Sequence, residues 1–140
     1  MIEIIFPVGA RVDAHLDGHT IQTDQPREGG GEGSAPTPFQ HFLASIGTCA
    51  GIYLLAFCRR RGISTEGMRI VERAHTDLST GMVGRIDLEL ILPPDFPQRY
   101  REAAMQAVRL CAVKKHLESP PAFEIHLGAG ETTLASAESG

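Results

Sequence analysis

Residues 37–62 read TPFQHFLASIGTCAGIYLLAFCRRRG, and this stretch decides the fold. Thr37 can cap a helix, Pro38 suits the first helical position, and Gln40 lies three residues on, where its side chain can return the hydrogen bond. A helix is therefore predicted from about Pro38. Phe39, Phe42, Leu43, Ile46, Ala50, Tyr53, Leu54 and Phe57 recur at spacings of three and four, and Cys49 falls on that stripe between Ile46 and Tyr53. The intervening residues are small or uncharged, and no Asp, Glu, Lys or Arg occurs from Gly33 through Cys58. A helix apolar on most sides is expected to be wrapped by other elements rather than to rest on one. Arg59, Arg60 and Arg61 then oppose the negative end of the helix dipole, and Gly62 closes the helix.

The same apolar run followed by arginines also fits a membrane span. Its length is at the short end of the roughly 17–25 residues required, and it holds Ser45, Gly47, Thr48 and Gly51. Its flanks read as strands of a soluble domain, so a buried central helix is the reading adopted. With 140 residues the chain is expected to form one domain over residues 1–128, with residues 129–140 a flexible C-terminal tail. So small a domain has difficulty covering an apolar helix from every side, and a second subunit could supply the missing cover. A net charge of −4, from 17 acidic and 13 basic residues, gives no electrostatic reason to expect nucleic acid or an anionic membrane as partner. No basic, apolar leader follows Met1, and three cysteines cannot all pair, so a reducing cytoplasm is the expected compartment.

On either side of the helix the pattern is that of strands. Val12, Ala14 and Leu16 alternate with Arg11, Asp13 and His15, and Asp17-Gly18 turns the chain into His19–Thr23 as a hairpin. From Asp24 to Pro36 glycine and proline predict a mobile loop, and no phosphate-binding spacing follows them. Gly67–Asp77 and Val83–Leu92 form a second predicted hairpin. A helix is expected to open at Asp95 or Phe96 and end near Cys111, with a short helical stretch over Ala112–Leu117. Phe123, Ile125 and Leu127 alternate as a last strand. This order is an α+β pattern, not a repeated βαβ one.

Cys49 and Cys58 lie nine residues apart on one helix, roughly 13 Å of rise and about half a turn out of phase, too far for a disulfide. Cys58 reads as a small buried hydrophobe. Cys111, at a helix start with Lys114 and Lys115 one turn on, has its acidity favoured by the helix N–H groups and those cations. Taken singly, Cys49 and Cys111 each also read as packed core thiols. As a pair on different helices they suit an oxidation cycle, in which one thiolate becomes a sulfenic acid and the second thiol converts it to a disulfide.

The segments QPREGGGEGSAPTPFQHFLASIGTCAGIYLLAFCRRRG and RLCAVKKHL resemble the osmotically inducible protein C and organic hydroperoxide resistance (OsmC/Ohr) family, with a likeness running from about Arg11 to Leu127. The resemblance implies an OsmC-like fold, with antiparallel sheets enclosing two long central helices in an intertwined homodimer. It also implies a thiol-dependent peroxidase that reduces organic hydroperoxides and is recycled by an external dithiol, with no cofactor. Cys49 matches the peroxide-attacking position and Cys111 the resolving one. Active peroxidases of the family carry a glutamate after the helix-opening proline, paired with an arginine; here that position is Phe39, which places the chain nearer the OsmC-like branch. Arg11 and Arg27 are the candidate cations.

A second reading is a redox sensor or small-molecule binder that uses the same Cys49 and Cys111 switch, or an apolar pocket around Phe39, Phe42 and Tyr53, without turnover. A cysteine hydrolase ranks last, because His15, His19, His41, His75, His116 and His126 form no recognised pairing with a cysteine. No metal is expected, since His15 and His19 merely flank a turn and no paired-cysteine spacing occurs.

Overall fold

The structure is a computed structural model, and it describes residues 1–129. The tail expected over residues 129–140 lies, apart from its first residue, outside the described residues. Strands β1 (Glu3–Ile5), β2 (Asp13–Leu16) and β3 (His19–Ile21) form an antiparallel sheet in that order. Asp17 (φ 48°) and Gly18 (φ 78°) both take the left-handed conformation of the tight turn, whose twist matches that of the flanking strands. Strand β1 was not expected; its Ile4 is exposed, its Ile5 is only partly buried, and three residues carry no clean alternation.

Helix α1 spans Pro38–Arg60. Its capping box is formed as the residue types require: Gln40 N–H donates to Thr37 Oγ1 at 3.2 Å, and Thr37 N–H donates to Gln40 Oε1 at 2.9 Å. Such a cap contributes about 1 kcal/mol. The antiparallel pair β4 (Arg69–Thr76) and β5 (Val83–Ile91) follows, then α2 (Arg101–Arg109) and α3 (Ala112–Glu118). The core lies where α1 meets α2 and the β4–β5 pair, and is built on Ala50, Leu54, Phe57 and Cys58 of α1, Ala104 and Val108 of α2, and Phe96. This is a mixed helix and antiparallel-sheet fold.

Four expectations are corrected. The loop after β3 is pinned rather than mobile. Asp24, 1% exposed, accepts hydrogen bonds from the Gln25, Glu32 and Ser34 amides and from the Ser34 hydroxyl, and Arg27–Gly29 closes a 3₁₀ turn inside the loop. The helix expected from Asp95 or Phe96 begins later, as a 3₁₀ turn over Gln98–Tyr100 leading into α2. Pro97 explains the delay: a proline biases the residue before it away from helical geometry, and its own ψ is 120°.

The last strand is not formed within this chain. Phe123, Ile125 and Leu127 are 86%, 98% and 100% exposed, because alternation says which face would be buried and not which strand is available to pair. Nor is α1 wrapped on most sides. Its buried residues are Ile46, Ala50, Leu54, Phe57 and Cys58, while Ile52 is 62% exposed and Phe39 and Phe42 are also exposed. By length and composition α1 could cross a membrane, yet it packs on α2, α3 and β4.

The Asp24 carboxyl is held down to about 2 from its ordinary 3.8, chiefly by the Ser34 hydroxyl and then by the Ser34 and Gln25 amides. A depressed carboxyl stabilises the folded loop fully above the ordinary value and loses that contribution as pH falls through the folded value. Loop order is therefore expected to persist at pH 4 and to fail as pH approaches about 2. Asp24→Ala should expose the loop already at neutral pH. Hydrogen exchange of the Glu32 and Ser34 amides checks both; unchanged protection in the variant would refute the anchoring role.

Candidate functional site

Cys49 lies three turns into α1, partly buried. Cys111 is the residue that precedes α3, 1% exposed, with φ −48° and ψ 124°. The fold brings the two thiols together: they interact directly, and the Cys111 Sγ also lies 4.0 Å from the Ile46 carbonyl oxygen of α1. The junction between α2 and α3 is thus seated against the middle of α1, and no disulfide joins any of the three cysteines.

The electrostatics of the pair differ from the sequence expectation. The amides at the start of α3 were expected to acidify Cys111. Instead the Val113 amide is the strongest influence lowering the Cys49 pKa, opposed by burial and assisted by the Cys111 thiol and the Ala112 amide. Cys111 moves the other way: burial pushes its thiol up, the Lys114 amide acts against this, and the neighbouring Cys49 raises it further. An amide donor at a helix start favours whichever thiolate sits in front of it, and across the fold that sulfur belongs to α1. By environment Cys49 is the more acidic of the two thiols and Cys111 the less acidic. Cys58 is fully buried, its pKa raised by burial against an opposing influence from Arg61, and its Sγ lies 4.0 Å from the Met68 sulfur.

Neither candidate arginine is among the groups that set the Cys49 pKa. Arg11 is engaged with Asp13 at 2.5 Å, and its Nε is buried without a partner among the described residues. Arg27 sits in the exposed 3₁₀ turn. Phe39 and Phe42 do come together, with ring centroids 5.4 Å apart, and with Met82, Val83, Ile86 and Leu117 they line a cavity of about 640 Å³. Tyr53 is not part of that wall. A smaller cavity of about 260 Å³ shares Val83, Ile86 and Leu117 and is lined also by Ile46, the residue whose carbonyl meets Cys111. An apolar surface thus leads from the start of α1 toward the thiol pair.

The histidines for which contacts are seen are engaged elsewhere: His41 with the Gln22 carbonyl at 2.9 Å, His75 with Asp87 at 2.7 Å, and His116 with the Ala112 carbonyl at 2.7 Å. Among the described residues no three His, Cys, Asp or Glu side chains converge as a metal site requires. Sequence reasoning assigned the amides at the start of α3 to Cys111 and missed that those of Val113 and Ala112 act on Cys49, since an amide carries no signature of its partner, and it missed Met82 and Leu117 as cavity walls.

Ala112→Pro offers a direct check. Proline is favoured at the first helical position, and the extended ψ of Cys111 suits the residue before it, so the change removes one amide donor with little distortion. The Cys49 pKa should rise, read as an upward shift in the pH midpoint of its alkylation; an unmoved midpoint would show that this amide does not act on the sulfur.

The family model described as OsmC-like protein matches residues 31–126. No curated protein matches the chain. Among solved structures, a hypothetical protein from Aquifex aeolicus VF5 shares 17% identity with a TM-score of 0.65, covering 86% of this chain and 87% of its own. An organic hydroperoxide resistance protein OsmC from Legionella pneumophila shares 20% identity with a TM-score of 0.54, covering 84% and 87%. A candidate osmotic stress induced and detoxification response protein from Psychrobacter arcticus 273-4 shares 18% identity with a TM-score of 0.69, covering 81% and 85%. At these identities the likeness is one of fold.

Proposed function

The chain belongs to the OsmC-like protein family, and on that premise we propose that it is a thiol-dependent peroxidase that reduces organic hydroperoxides through a Cys49–Cys111 sulfenate and disulfide cycle, in defence against oxidative stress. The observation that carries this reading is the meeting of the two thiols from separate elements, with opposite pKa displacements. A lowered Cys49 attacks the terminal peroxide oxygen, and the protonated Cys111 stands in contact to resolve the product before over-oxidation. The Phe39–Phe42 cavity supplies an apolar seat for the organic part of the substrate. With Phe39 in place of a carboxylate, thiolate stabilisation falls to the amides of α3 rather than to a fixed Arg–Glu pair.

The functional unit is an intertwined homodimer in the cytoplasm, recycled by an external dithiol, with residues 1–128 acting as one domain. The exposed side of α1 and the unpaired Phe123–Leu127 segment support a second chain as their cover. The test is consumption of cumene hydroperoxide in the presence of dithiothreitol. Many turnovers per subunit are expected; oxidation that stops at one equivalent per subunit would instead identify a redox sensor or binding protein.

A further inference from the structure

Cys111 has two acceptors for its S–H: the Ile46 carbonyl oxygen, 4.0 Å from Sγ, and the Cys49 sulfur. At 1% exposure its sulfur is almost wholly withdrawn from bulk water. Helix α1 carries His41, Cys49, Tyr53 and Cys58 as its ionisable groups before the closing arginines, and His41 is engaged with the Gln22 carbonyl. Strand β4 supplies Glu72, set against Gly47, β5 and α3 supply Arg85 and Lys114 beside the cavity that Ile46 lines, and α3 adds Lys115 and His116, whose ring meets the Ala112 carbonyl. Arg109, closing α2, is exposed. Besides burial and the Lys114 and Val113 amides, the one group that shifts Cys111 is Cys49. Among the described residues no side chain other than Cys49 acts on the Cys111 proton.

We propose that the oxygen placed on Cys49 is itself the base that activates Cys111, so that the resolving thiol keeps its proton until Cys49 is oxidised. This rests on the peroxidase reading above. In the first step the Cys49 thiolate attacks the terminal oxygen of R–O–O–H: the O–O bond breaks, an S–O bond forms, sulfur is oxidised by two electrons, and the proton passes to the departing alkoxide, giving R–OH and Cys49–S–O⁻. The Cys111 proton then moves to that oxygen, leaving a thiolate. Its sulfur attacks the Cys49 sulfur, the S–S bond forms, the S–O bond breaks, and the oxygen leaves as hydroxide, which takes a proton from solvent to become water. Cys111 is thereby silent toward oxidants while Cys49 is reduced, and armed by the oxidation it must resolve.

Single-turnover oxidation with cumene hydroperoxide, quenched at intervals and read by non-reducing mass analysis, gives the rate of disulfide formation. Because the proton moves within the pair, that rate should change by less than about twofold between about pH 7 and 8.5. A rise approaching tenfold per pH unit would mean that Cys111 must first ionise to solvent, and overturns the proposal. A Cys111→Ser variant, or Cys111→Ala if serine impairs folding, separates the two failures by dimedone trapping. An adduct on Cys49 together with a steep pH profile sinks the internal proton transfer alone; no adduct on Cys49 sinks the peroxidase reading with it.

Discussion

Cys49→Ser is expected to remove hydroperoxide turnover to the uncatalysed background, a loss on the order of 10³-fold or more. A serine hydroxyl is far less acidic than a thiol, and the Val113 and Ala112 amides that favour a sulfur anion cannot bring it into ionisation at neutral pH. Cys58→Ser provides the contrast. That residue is fully buried with its pKa raised, so the substitution should leave turnover almost intact while lowering stability somewhat, since a hydroxyl replaces a sulfur packed on Met68. The measurement is steady-state peroxide consumption with a dithiol at matched folded concentrations. Activity surviving in Cys49→Ser would remove this residue from the chemistry.

Leu54→Ala is expected to cost about 2–5 kcal/mol and to lower the melting temperature by roughly 10 °C. Leu54 is 4% exposed and lies in the cluster that joins α1 to α2 and the β4–β5 pair, so truncation leaves a void bounded by three elements that cannot all move inward. Ile52 is the informative companion, because in one chain it is mostly exposed. Ile52→Ala should cost little if the chain works alone and a few kcal/mol if a second copy covers that face. Thermal melts at fixed protein concentration decide between these, since dimerisation makes stability depend on concentration. A Leu54→Ala melt within a degree or two of the parent would contradict the core as described.

Local features of the fold were readable because local physics encodes them. The Thr37–Gln40 box, Pro38, and the Asp17-Gly18 turn act within a few residues, and each is formed as its chemistry demands. The family was likewise legible in residue type and position. What was not legible depends on partners distant in the chain. Nothing in Pro26–Ser34 announces that one carboxylate, Asp24, will gather three amides and a hydroxyl. The amides of α3 act on a sulfur some sixty positions earlier, which no spacing rule reveals. Phe123, Ile125 and Leu127 state a face without naming the edge it belongs to.

The Cys49 sulfur on the long helix owes its lowered pKa to the opening turn of a seven-residue helix that packs chiefly on that one neighbour. Short terminal helices open more readily than the core they lean on. Reactivity in this molecule is therefore a gauge of local order: heat or mild denaturant that frays that one turn will blunt the nucleophile while the main body still melts as a native protein.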